Sequence, residues 1–267
     1  MSEFVNLIIF VFGASIGSFL NVLIDRLPKE ESINGRSHCD FCGKKIVWYD
    51  MFPVLSFFIL GGKTRCCKKK LSFQYPLIEF ITGCIFVLVF KDSPYIESLT
   101  RTVLTASIMS CLIVIFVSDL KYRLISDYIL LALFVFTVLF RLVETQNFAS
   151  LHGNFNLFQL ISTYFLFGLI VCLPIFLIYF LSKERAMGLG DVYLSAIMGF
   201  LLGWQKGFLA LYIAFVTGAI FGLFIIIFKN KKLKSKIAFG PFLVIGTVIM
   251  LFWGEKILEI IKKIYRF

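Results

Sequence analysis

Eight apolar runs divide this chain, and they leave little choice of fold. They cover residues 4–24, 75–90, 100–118, 128–143, 157–181, 192–202, 208–228 and 241–258. A helix needs about 20 mostly apolar residues to cross the hydrocarbon core of a bilayer. Inside hydrocarbon every backbone polar group needs a partner within the chain, so the runs are expected to be helices. Composition agrees, with 59% hydrophobic and only 16% charged residues, against about 25% charged in soluble domains. The predicted fold is an all-α polytopic membrane protein with about eight transmembrane helices and a small cytoplasmic cysteine-containing loop domain. The sixth run is short and fits a helix half-buried in protein. The first is preceded by Glu3 and no basic residue, so it reads as a retained helix rather than a cleaved signal.

Orientation follows from the basic residues. Nineteen of the 27 Lys and Arg fall in segments 25–74, 119–127, 182–191 and 229–240. Cytoplasmic loops carry such an excess, which predicts an amino terminus outside and the large loop 25–74 inside. Lys262, Lys263 and Arg266 in the tail run against it. The net charge of +11 is therefore topology and attraction to anionic membrane lipids, the basic run 229–236 included, and not a nucleic-acid surface. Three segments result: 1–24 as a first transmembrane helix, 25–74 as a cytoplasmic loop domain, and 75–267 as a membrane domain.

On that topology two carboxylates reach the same face. Residues 187–191 read Met-Gly-Leu-Gly-Asp, and Asp191 opens the sixth apolar run. A charge in hydrocarbon costs roughly 2.5–3.5 kcal/mol on insertion scales and marks a candidate functional residue. Gly188 and Gly190 allow close backbone approach just before it. Asp119 ends the third run. Asp127 opens the fourth, where a helix N-cap or first-turn charge is the simpler reading. Taken alone, Asp119 is an ordinary boundary residue. With Asp191 at the same depth, the pair suits hydrolysis. Two carboxylates brought together share one proton, so one takes a proton from water while the other polarises a carbonyl.

The cytoplasmic loop holds Cys39 and Cys42 as CxxC, and Cys66 beside Cys67. Four thiols in a short loop point to a tetrahedral zinc site. Disulfides are the alternative, disfavoured in a reducing compartment; three thiols with His38 or water is another. Lys68, Lys69 and Lys70 read as a basic patch facing lipid. The apolar stretch 51–62 is too short to span. Gly13 and Gly17 have the spacing of close helix packing, and Asn21 calls for a partner across a helix interface. Arg26 sits where it can snorkel. Glu79 is an acid one turn into a span, for which a structural ion pair with a loop Lys or Arg competes with a functional role. Cys84, Cys111 and Cys172 read as small packing residues.

Taken in order, these motifs resemble the type IV prepilin peptidases, membrane aspartyl proteases of the GxGD type. Gly188-Leu189-Gly190-Asp191 matches the signature, and Asp119 with Asp127 matches the first catalytic segment. Gly17-Ser18-Phe19-Leu20-Asn21-Val22 with Arg26-Leu27-Pro28, the Cys39 and Cys42 pair, Tyr75-Pro76-Leu77-Ile78-Glu79 and Phe239-Gly240-Pro241-Phe242-Leu243 follow in family order. The resemblance implies catalytic Asp119 and Asp191, supporting Gly188 and Gly190, and zinc on Cys39, Cys42, Cys66 and Cys67. It implies a bacterial inner-membrane enzyme that cuts the short basic leader of prepilin or pseudopilin precursors, typically after glycine, at the cytoplasmic face. It further implies methylation of the new amino terminus, usually phenylalanine, by S-adenosylmethionine, with Glu79 as a candidate cofactor contact. Three positions depart from the pattern: Thr64 stands in place of a thiol, Tyr193 in place of a common Lys, and Ser126 in place of a common Pro. No glycine-rich strand–helix fingerprint for a nucleotide-like cofactor is evident. A peptidase without methyl transfer, and an ion-coupled transporter with intramembrane carboxylates, are the competing readings.

Overall fold

The computed structural model describes residues 3–33, 35, 37–39, 41–91, 99–152, 157–229 and 238–265. Apart from Lys229, the basic run 229–236 lies outside them, as does Arg266. The described residues are mostly helical: α1 (Glu3–Arg26), α2 (Leu55–Ile59), α3 (Gln74–Lys91), α4 (Leu99–Tyr122), α5 (Asp127–His152), α6 (Leu157–Ser182), α7 (Leu189–Leu202), α8 (Trp204–Lys229) and α9 (Gly240–Tyr265). Each of the eight apolar runs is a helix. Five helical stretches are long and apolar enough to cross a membrane: Glu3–Lys29, Gln74–Lys91, Leu99–Tyr122, Ile161–Ser182 and Trp204–Ile225. The chain is thus a multi-pass helical protein with five such helices among its described residues, fewer than the eight expected spans. Helix α7 has only 14 residues. That is about 21 Å, against a hydrocarbon core of about 30 Å.

Two compact units form, Met1–Val114 and Ile115–Phe267. In the first, α1 packs along α3. Small residues set the approach. A Cβ on Gly13 would come within 2.7 Å of the Phe86 Cβ, and one on Gly17 within 2.8 Å of the Glu79 Cα. Asn21 meets the expectation of a cross-helix partner, its Nδ2 donating to the Tyr75 carbonyl at 3.2 Å.

The loop between α1 and α3 contains two turns of one design. Cys39 N–H donates to the Lys44 carbonyl and Gly43 N–H to the Cys39 carbonyl; Thr64 N–H donates to Lys69 and Lys68 N–H to Thr64 in the same way. Thr64 therefore occupies the place of Cys39, and Cys67 the place of Cys42. Gly43 and Lys68 share a positive φ, +69° and +56°.

In the second unit α7 is the centre, with α5, α6, α8 and α9 all packed on it. Its residues from Asp191 to Leu202 are buried apart from Tyr193 and Ala196, which explains an apolar run with no polar face. A short helix surrounded by apolar protein leaves its last carbonyls without helical partners. Arg141, in α5, supplies them: Nε donates to the Phe200 carbonyl at 3.4 Å, and Nη2 to that of Leu201. Its guanidinium also pairs with Glu144 and lies 4.1 Å from the Tyr164 ring centroid. Replacing Arg141 by Met strands these carbonyls and removes the cation paired with Glu144. We expect a loss of about 3 kcal/mol, read as a lowered thermal midpoint in detergent.

Candidate active site

Asp119 lies in the last turn of α4 and Asp191 in the first turn of α7, only 6% and 8% exposed. Both belong to the second unit, with Asp119 within electrostatic reach of the Asp191 carboxyl. Helix α4 is stopped at Arg123, whose N–H donates to the Asp119 carbonyl at 2.9 Å and whose φ is +55°, a left-handed helix stop. Ser118 Oγ then donates to the Leu124 carbonyl at 3.0 Å, tying the turn back. That turn brings Ile125 against the glycines beside both acids.

Ile125 explains one glycine of the signature and introduces another. A Cβ on Gly190 would sit 3.0 Å from the Ile125 Cβ, and one on Gly240 3.3 Å from the Ile125 Cδ1 and 2.6 Å from the Asp119 Oδ2. The Gly240 backbone amide also acts on the Asp119 carboxylate. Asp119 Oδ2 itself is buried and has no partner of ordinary hydrogen-bond geometry among the described residues. Asp191 occupies the third position of its helix. Its Oδ2 accepts the Gly188 N–H at 3.3 Å, as a capping box does. Gly188 has φ −87°, and a Cβ there would meet only the Gly190 nitrogen at 4.0 Å. Its own neighbours do not demand glycine.

The four loop thiols converge. Cys39, Cys42, Cys66 and Cys67 place their sulfurs within 4.8 Å of one another. Cys39 and Cys67 are 3.8 Å apart, Cys42 and Cys66 3.2 Å. Tetrahedral zinc with bonds of about 2.3 Å requires sulfurs about 3.8 Å apart, so the donor set fits zinc. The adjacent pair is no obstacle, because Cys66 precedes the position equivalent to Cys42 and turns toward the cluster. The Thr64 hydroxyl, 3.1 Å from the Cys67 sulfur, and the Lys69 amide pull the Cys67 thiol down to about 7, while bonding to Cys42 pushes Cys66 up to about 12. Metal analysis of the purified protein should find one zinc per chain. The double variant Cys42→Ser, Cys66→Ser should lose it and expose the loop to proteolysis.

A cavity of about 470 Å³ opens in the first unit, lined by Ser18, Asn21, Asp25, His38, Tyr75 and Glu79 among others. Asn21 is 3% exposed, and its Oδ1 is buried without a partner among the described residues. Tyr75 donates to Asp25 Oδ2 at 2.8 Å. Glu79 has no loop Lys or Arg as ion-pair partner among the described residues. Its Oε2 accepts the Val54 N–H at 2.7 Å. Val54 stands at φ +62° in a tight turn closed from Leu55 N–H to the Pro53 carbonyl, a strained conformation for a β-branched residue. Glu79 braces it.

Of the residues with a structural part here, Arg141 and Gly240 carry the least sequence signal of function. Arg141 is a lone charge late in an apolar run, and Gly240 is one motif position among several.

Comparison with known proteins places the chain in a family. Residues 11–92 match the Bacterial Peptidase A24 N-terminal domain, and residues 106–223 match the Type IV leader peptidase family. A prepilin leader peptidase/N-methyltransferase of Aeromonas salmonicida is 30% identical over 280 residues, covering 94% of this chain and 91% of its own. Those of Bacillus subtilis and Klebsiella pneumoniae are 27% identical over 256 residues and 34% over 208, covering 94% and 74% of this chain and 96% and 85% of theirs. No solved structure matches. With both family models in order along one chain, and relatives matched over nearly its whole length, the protein belongs to the type IV leader peptidase family.

Proposed function

We propose that the protein removes the basic leader of type IV prepilin or pseudopilin precursors at the cytoplasmic face of the bacterial inner membrane, and methylates the new amino terminus. The carrying observation is the pair of buried acids, Asp119 and Asp191, at the ends of two helices in one unit. In this reading the ionised carboxylate takes a proton from water, and the resulting hydroxyl adds to the scissile carbonyl. The protonated one gives its proton to the carbonyl oxygen. A second transfer, to the departing nitrogen, breaks the peptide bond. Gly190 and Gly240 keep the space around the pair clear, and Gly188 holds Asp191. The amino terminus lies outside, and the eight apolar helices make up the membrane part. Segment 25–74 is the cytoplasmic module, folded around zinc on its four cysteines.

S-adenosylmethionine, when bound, supplies an electrophilic methyl group. The cavity of the first unit suits such a ligand, since pockets of about 300–1,000 Å³ with a few convergent polar groups are usual. Asn21 Oδ1 is placed to accept from it, Asp25 offers a carboxylate to a cation, and Glu79 fixes the wall through Val54. That cavity favours the two-activity reading over a peptidase alone.

The test is a precursor with a basic leader, incubated in detergent with the purified protein and methyl-labelled S-adenosylmethionine. Cleavage together with label on the shortened product is the expected result. Cleavage without label would leave the peptidase alone, and neither activity would end the reading.

A further inference from the structure

The second unit contains an open groove of about 610 Å³ between α5 and α6, with α7 as its floor. Tyr193, Ala196, Ile197 and Phe200 form the floor, and Leu131 and Leu169 stand in the walls. Phe134 and Phe200, with ring centroids 5.8 Å apart, narrow the far end. The near end is where α5 and α7 begin. There Asp127 is the one charged residue of the lining among the described residues. It follows by two positions Ile125, which packs on Gly190, so this mouth lies at the amino end of α7, the end that carries Asp191 in its first turn.

The groove is therefore apolar along its length and anionic at the end where the helix carrying Asp191 begins. A lipid acyl chain would suit the apolar part, but its phosphate would meet the Asp127 carboxylate. A peptide with a cation beside an apolar segment matches both ends. We propose that this groove seats the apolar segment of the substrate, and that Asp127 pairs with a basic residue of its leader. This rests on the proposed peptidase function and names the substrate contact that sets specificity.

The experiment uses the full-length protein and a precursor with a basic leader. Asp127→Lys should raise KM about tenfold, more than it lowers kcat. A precursor whose leader lysines are replaced by glutamate should reverse that order, being cut better by Asp127→Lys than by the unsubstituted protein. A photo-crosslinker at Leu131, in a chain also carrying Asp191→Asn, should capture the precursor in detergent and in vesicles. The Asp127→Asn variant retains the shape of the first turn of α5 and should show a smaller KM rise, separating charge from misfolding. Equal KM values for all three proteins on both precursors, or crosslinks to lipid alone, would overturn the proposal while leaving the peptidase reading standing. Absence of cleavage by the unsubstituted protein would overturn both.

Discussion

Asp191→Asn and Asp119→Asn should each lower precursor cleavage by about 10³-fold or more, with the protein still inserted and folded. General acid–base groups contribute about 10²–10⁴-fold each, and residues that act as a unit lose most of their effect when either is removed. Asparagine keeps the size of aspartate, so the packing around Ile125 survives. It retains an oxygen to accept the Gly188 N–H, now 3.3 Å from Asp191 Oδ2. What it lacks is the capacity to hold and release a proton. Methyl transfer to a precursor cleaved beforehand should persist in both variants, because the cavity with Asn21 and Glu79 lies in the first unit and the acids in the second. A fully active Asp191→Asn protein would refute the assignment. Loss of both activities together would point to one shared site.

Much of this is legible from residue order. Apolar length predicts each helix, because hydrocarbon forces the backbone to pair with itself. The position of Asp119 and Asp191 at run boundaries places them at helix ends, which is where they lie. The convergence of Cys66 and Cys67 on Cys39 and Cys42 follows from their number in one short loop, but its geometry does not. A CC pair completes the cluster only because Thr64 repeats the turn made by Cys39. Other features depend on contacts between distant segments, which no local pattern encodes. Arg141 cannot be matched to the carbonyls of Phe200 and Leu201, 59 and 60 residues away, without the packing of α5 on α7. The position of Glu79 invites a Lys or Arg partner, yet it meets a backbone amide, since the strained turn at Val54 has no sequence signature. Membrane crossing is similar: α7 is as apolar as a span, yet its neighbours are helices on almost every side.

Gly240→Ala should cost about 10²-fold in kcat while leaving the protein folded. The added Cβ would sit 2.6 Å from Asp119 Oδ2 and 3.3 Å from the Ile125 Cδ1. The first distance is shorter than any ordinary contact. Relief is easy, because the obstructing atom is the end of a side chain and not backbone: the Asp119 carboxyl rotates away. The fold then loses little, but the reacting oxygen moves. A displacement of about 1 Å at a catalytic group is worth about 10²-fold. The Gly240 amide, which acts on Asp119, would no longer face it in the same way. Substitution at another glycine of α9 offers the contrast. Gly246→Ala would meet backbone, the Ala210 carbonyl, so it should disrupt α8 against α9 and lower stability. Thermal midpoints and cleavage rates measured on both variants separate the two effects. Activity lost with the midpoint retained is expected for Gly240→Ala, and the midpoint lost for Gly246→Ala. A Gly240→Ala protein with normal kcat would mean that Asp119 does not need the orientation seen here.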